Sequence, residues 1–159
     1  MGRIVVGVDG SEESKAALGW GLEEAVVRSA SVEVVYVYQF TPEWQLYGYA
    51  GATSEERQRE LEEQQRDEER EAAEQATELV RGLLEEVGVP DGVDVEIVPV
   101  PDRRPAEALI ERARGAELLV VGSRGRGGFA GLLLGSVSHQ VATHATCPVV
   151  IITPHARED

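Results

Sequence analysis

The chain has almost no lysine: Lys15 is the only one among its 15 basic residues, so any positive site must be built from arginine or from backbone amides. It has one cysteine, Cys147, which excludes an intrachain disulfide and a cysteine-rich zinc site and leaves a buried, inert thiol as the expected state. No apolar run approaches the roughly 20 residues that cross a bilayer, so no membrane span is expected. Nor does Met1-Gly2-Arg3, leading straight into Ile4-Val5-Val6, offer the long apolar segment of a secretory signal, and a cytoplasmic location is the expectation. Positive charge is scarce in total as well. A formal net charge of −14 repels polyanions and disfavours nucleic acid as a partner, although a small anion can still be held at a local positive site.

What is present is an alternation of strands and helices over 159 residues, a length that suits one domain. Ile4 to Val8 is a nearly unbroken β-branched run, as in a strand buried on both faces, and it ends at Asp9-Gly10-Ser11. Ser11 can cap the helix that follows, Glu12 and Glu13 suit its positive end, and Ala17, Leu18, Gly21, Leu22, Ala25 and Val26 make one apolar stripe. Val32 to Tyr38 reads as a second strand, followed by an ordered loop over 39–53.

Residues 54–87 are helical in propensity, but the 54–71 part is charged and reads as a partly solvated extension; only the part from Ala72 to Val87 carries a docking stripe. Val93 to Val98 alternates like an edge strand that Pro99 and Pro101 end. A helix from Pro105 through Ala113, a strand at Leu118 to Val121, a helix from Ser136 to His144 and a last strand at Val149 to Ile152 complete the chain. The alternation predicts one α/β domain with an open parallel sheet and helices on both faces.

In such sheets ligands bind at the carboxyl ends of strands, where connections diverge to opposite faces. Asp9 and Gly122 stand at two such ends. From Gly122 to Gly135 there are six glycines in fourteen residues, so backbone N–H groups can come close to an anion. The free amides of Gly135, Ser136 and Val137 at a helix start, the Ser136 hydroxyl, and the guanidinium groups of Arg124 and Arg126 converge on the same segment. It is no Walker A loop, since no lysine follows the glycines, and it lacks the dinucleotide spacing. Asp9 can be a helix-capping aspartate or a ligand contact. His139, His144 and His155 have no spacing for a metal, so no metal site and no catalytic residue is expected.

Gly122, two residues, Gly125, nine residues, then Gly135-Ser136 resembles the G-x-x-G-x9-G-[ST] nucleotide motif of the universal stress protein family, in its ATP-binding branch. Val5 to Ser11, Leu118 to Gly122 and Cys147 to Ile151 resemble its first, fourth and last strands with their turns. The resemblance implies a five-stranded sheet of order 3-2-1-4-5. It also implies nucleotide contacts at Asp9, Val37, Gly122, Gly125, Gly135 and Ser136, and with the neighbouring strand-end and loop residues the expected site is Val8, Asp9, Val37, Gly122, Ser123, Arg124, Gly125, Gly127, Gly135, Ser136 and Val137. Tyr36 stands where the family usually has histidine, and Arg103 where it often has a small residue.

The function expected is that of an ATP-binding stress-response regulator, with Mg²⁺ accompanying ATP, dimerising through the Pro148–Ile152 edge strand. The alternatives are a slow ATPase, a phosphate-transferring enzyme, or a protein that binds cyclic AMP in the same pocket. Efficient turnover is disfavoured because only Asp9 is a candidate base, and it belongs near the nucleoside.

Overall fold

The computed structural model describes residues 1–42, 54–125 and 134–154. Five strands, β1 (Arg3–Val8), β2 (Ser31–Tyr38), β3 (Val95–Pro101), β4 (Leu118–Gly122) and β5 (Val149–Ile152), form one parallel sheet of order β3-β2-β1-β4-β5. Four helices join them: α1 (Glu12–Arg28), α2 (Glu55–Val87), α3 (Pro105–Arg112) and α4 (Ser136–His144). The sheet order is the one the family resemblance implies, and the helices on both faces are those the alternation of elements predicts.

The β-branched runs fill both faces because successive side chains point to opposite sides. Ile4, Val6, Val34 and Val120 pack under α1 and α2, against Leu18, Leu22 and Val80. Val5, Val35, Leu119 and Val121 pack under α3 and α4, against Leu109 and Val141. α1 thus leaves β1 on one face and α4 follows β4 on the other. The crevice between the ends of β1 and β4 is a direct product of that divergence.

Three expectations change. Val26 lies off the α1 stripe at 52% exposure, because Ala25 takes the inward position and its neighbour is turned about 100° away. Pro99 does not end β3 but lies within it, and Pro101 is its last residue. The two pair in register with Tyr36 and Tyr38 of β2, which an edge strand tolerates because a missing N–H on the outer side breaks no ladder bond. Cys147 is half-buried, just before β5. The loop over 39–53 lies outside the described residues from 43 onward.

α2 is one uninterrupted helix about 50 Å long, capped by Ser54, whose hydroxyl accepts from the Arg57 N–H at 3.3 Å. Ala76, Val80 and Leu83 dock it on the sheet, and residues 54–60 are exposed on every side. Along its length Arg57–Glu60, Arg66–Glu62, Arg70–Asp67 and Arg81–Glu78 pair one turn apart. Each such exposed pair adds about 0.3–0.5 kcal/mol, a modest support to the helix where no core lies beneath it.

At the amino end of the sheet, Glu33 of β2 is almost fully buried and accepts from Arg3 at 2.7 Å and Arg112 at 2.6 Å. Arg3 also donates to the Arg112 and Arg114 carbonyls at 3.0 and 2.9 Å. One acid therefore ties β1, β2 and the end of α3 together, opposite the crevice.

Candidate functional site

The turn after β1 builds the first wall. Gly10 has φ +82°, a left-handed conformation that only glycine adopts cheaply, and it lets Asp9 fold back so that its Oδ1 accepts from the Ser11 N–H at 2.9 Å. The helix cap is Ser11 itself, whose hydroxyl accepts from the Ser14 N–H at 3.2 Å. Asp9 thus fastens the turn and not the helix. Ser14 closes the unit: its hydroxyl donates to the Ser11 carbonyl and accepts from the Asp9 N–H.

The second wall is the end of β4. Gly125 lies so close to Asp9 that a Cβ there would sit 2.5 Å from Asp9 Oδ2, so the aspartate carboxylate rests directly on the loop backbone. Gly135 returns to the same place: its N–H donates to the Ser123 carbonyl at 2.7 Å, and the buried Ser138 hydroxyl donates to that carbonyl at 2.7 Å. The two ends of the 122–135 segment are thereby stapled together at one oxygen. Gly127 and Arg126 lie outside the described residues.

Between the walls is a cleft of about 730 Å³. Of the residues expected at a nucleotide site, Val8, Asp9, Val37, Gly122, Arg124, Gly125, Gly135, Ser136 and Val137 line it. Ser123 does not. The residue is 1% exposed with its hydroxyl unpartnered among the described residues, while its carbonyl makes the staple. The sequence reading missed Val35, Gln39, Pro105 and Leu109, which add a largely apolar floor from β2 and α3. Strand alternation was the available signal, since Val35 and Gln39 share the face of Val37.

The start of α4 is built to leave its donors open. Gly135 occupies the N-cap position in extended backbone (φ −73°, ψ 174°), and no side chain caps the helix among the described residues. A Cβ at Gly135 would meet Arg124, Ser123 and Gly125 only at ordinary contact distances of 3.5–3.8 Å. Among the described residues, neither backbone conformation nor packing therefore demands glycine at 135. What it does is keep the approach to the free amides of α4 clear, where an anion is favoured. Arg124 faces the same cleft, with Glu13 Oε1 at 3.9 Å from its guanidinium.

A second, more open recess of about 650 Å³ lies on the other side of the end of β2, where Tyr38 and Phe40 face Pro99, Pro101 and the charged half of α2. Burial, aided by the Glu69 carboxylate, pushes the Tyr38 phenol above its ordinary value, so it stays a neutral donor there. Tyr36 does not enter the cleft: it packs on the α1–α2 side, its ring stacked with Tyr38 at 6.2 Å.

Comparison with known proteins gives this arrangement a family. The model of the universal stress protein family matches residues 1–153. A universal stress protein of Mycolicibacterium smegmatis is 34% identical over 152 residues, covering 95% of this chain and 45% of that protein. One of Thermus aquaticus is 31% identical over 94% of this chain and 96% of its own length. The chain spans about half the length of the mycobacterial relatives it matches. Among solved structures, a universal stress protein in complex with cAMP superposes with a TM-score of 0.56 at 27% identity, covering 95% of each chain. The chain belongs to the universal stress protein family.

Proposed function

We propose that the chain binds an adenine nucleotide in the β1–β4 cleft, ATP with Mg²⁺ foremost, and acts as a nucleotide-dependent regulator in the cytoplasm. The observation that carries this reading is the convergence of uncapped α4 amides, the Arg124 guanidinium and the glycine backbone on one side of the cleft. An apolar floor from Val37, Val35 and Leu109 lies on the other. Phosphates are matched by the first set of groups and a purine by the second. Asp9, at the junction, suits the ribose hydroxyls. Ser136 would add its hydroxyl and Val137 its amide to the phosphates.

Binding is favoured over turnover because hydrolysis needs a base and a positioned water beside the terminal phosphate. Asp9 is the carboxylate on the described lining, and its Oδ1 already accepts from Ser11. Cyclic AMP is the second reading, supported by the related structure in complex with it. Calorimetric titration with ATP, ADP, AMP and cyclic AMP separates the two, and absence of binding below millimolar concentration for all four removes both. Single-turnover hydrolysis with Mg²⁺ tests the slow ATPase alternative.

A further inference from the structure

Resting on the nucleotide reading of the cleft, the geometry points to Glu13 as the residue that sets how many phosphate charges the site accepts. Glu13 is on the first turn of α1, outside the glycine motif and outside the cleft lining. Its place is nevertheless fixed. The end of β4 packs so tightly on it that a Cβ at Gly122 would lie 2.9 Å from the Glu13 carbonyl carbon and from its Cβ. From there the carboxylate reaches Arg124, with Oε1 3.9 Å from Nη2, and both side chains are only about a quarter exposed, at 22% and 29%.

Arg124 is the one guanidinium on the described lining of the cleft, and part of its charge is already answered by Glu13. The long separation leaves the pair weak, so a phosphate can take the guanidinium over. That phosphate then lies one guanidinium away from a fixed negative charge, in a place only partly screened by water. The repulsion grows with the charge of the ligand. It is small for a cyclic or single phosphate, larger for a metal-free triphosphate, and reduced again when Mg²⁺ neutralises part of the triphosphate.

Glu12 provides the internal control. It is in the same turn and carries the same charge, but its side chain is 87% exposed and it pairs with Lys15 at 3.2 Å. The test is titration of wild type, Glu13→Gln, Glu13→Asp and Glu12→Gln with ATP and AMP, in EDTA and then in excess Mg²⁺, with thermal melts to confirm folding. Expected in EDTA is a rise of about three- to tenfold in the ATP-to-AMP affinity ratio for Glu13→Gln. Glu13→Asp should rise less and Glu12→Gln not at all, and Mg²⁺ should shrink the effect.

An unchanged ratio in Glu13→Gln, or an equal change in Glu12→Gln, overturns the inference while the nucleotide site stands. A fall in the ratio also overturns it, by making Glu13 a support for Arg124. Wild type that binds neither nucleotide overturns the reading of the cleft, and this inference with it.

Discussion

Single side chains in this chain are answered unevenly. Ser123 buries a hydroxyl that has no partner among the described residues, although its carbonyl accepts two donors, from Gly135 and Ser138. Taking a hydroxyl from water without a hydrogen bond is unfavourable, so Ser123→Ala removes a cost and keeps nearly the same volume. Urea unfolding should show stability unchanged or raised, by up to about 1 kcal/mol; a loss of 2 kcal/mol would mean that the hydroxyl has a partner. Cys147 is uneven in another way. Burial pushes its thiol up from the ordinary value, against weaker lowering by backbone amides and Arg3. Because the folded value is the higher, this group adds stability below the unfolded thiol pKa of about 8.5, and that contribution fades as pH rises through the folded value. Iodoacetamide labelling at pH 8, read by mass spectrometry, should be slower than for a short peptide thiol, and a faster rate would contradict the shift.

At the level of elements, two junctions can be tested apart because they sit at opposite ends of the sheet. Gly135→Ala adds a methyl that the fold accommodates, with extended backbone and contacts no closer than 3.5 Å. Stability should stay level or rise by about 0.4–1 kcal/mol through the less flexible unfolded chain. Nucleotide affinity should fall about tenfold or more as the methyl obstructs the approach to α4; calorimetry on the folded variant decides. Glu33→Gln has the reverse profile. It loosens β1, β2 and α3 by weakening two charge-assisted bonds, and the freed arginines, a third or more exposed, can turn to water. The expected loss is about 1–3 kcal/mol, with nucleotide affinity preserved.

Comparing these junctions shows what the sequence could reveal. β1, β4 and β5 were legible nearly to the residue, because all three are written as unbroken apolar runs rich in β-branched residues, β1 and β4 buried on both faces and β5 half-buried at the edge. β3 was misplaced by two or three residues, since prolines read as strand ends unless the strand is already known to lie at the edge. The phosphate side of the site was legible for a similar reason: the spacing of Gly122, Gly125, Gly135 and Ser136 is local. Glu33 and Glu13 were not, because nothing near them in sequence reveals their partners. Arg112 is 79 residues from Glu33, and only the assembled fold brings them together.

The whole molecule ends its sheet at β5, and that edge is where an assembly would form. At the two ends of β5 the carbonyls of Pro148, just before it, and Ile152 accept from the N–H groups of Leu119 in β4 and of Ser123 just after it. Backbone groups of alternate residues point the same way in a strand, so those of Val149 and Ile151 face outward from the sheet. An apolar edge with no further strand beside it among the described residues is a template for pairing with another chain, and a second copy presents the same edge under two-fold symmetry. The mycobacterial relatives, about twice this length, have room for a second such domain within one chain. The proposed regulator should therefore be a dimer at micromolar concentration by sedimentation equilibrium. Ile151→Pro removes one outward N–H and leaves the β4-facing carbonyls at 148 and 152 in place, so the variant should sediment as a monomer while keeping its circular dichroism. If wild type is monomeric, the β5 dimer is wrong. If the folded proline variant remains a dimer, the copies meet on a different surface, and the exposed faces of α4 and the charged half of α2 become the places to look.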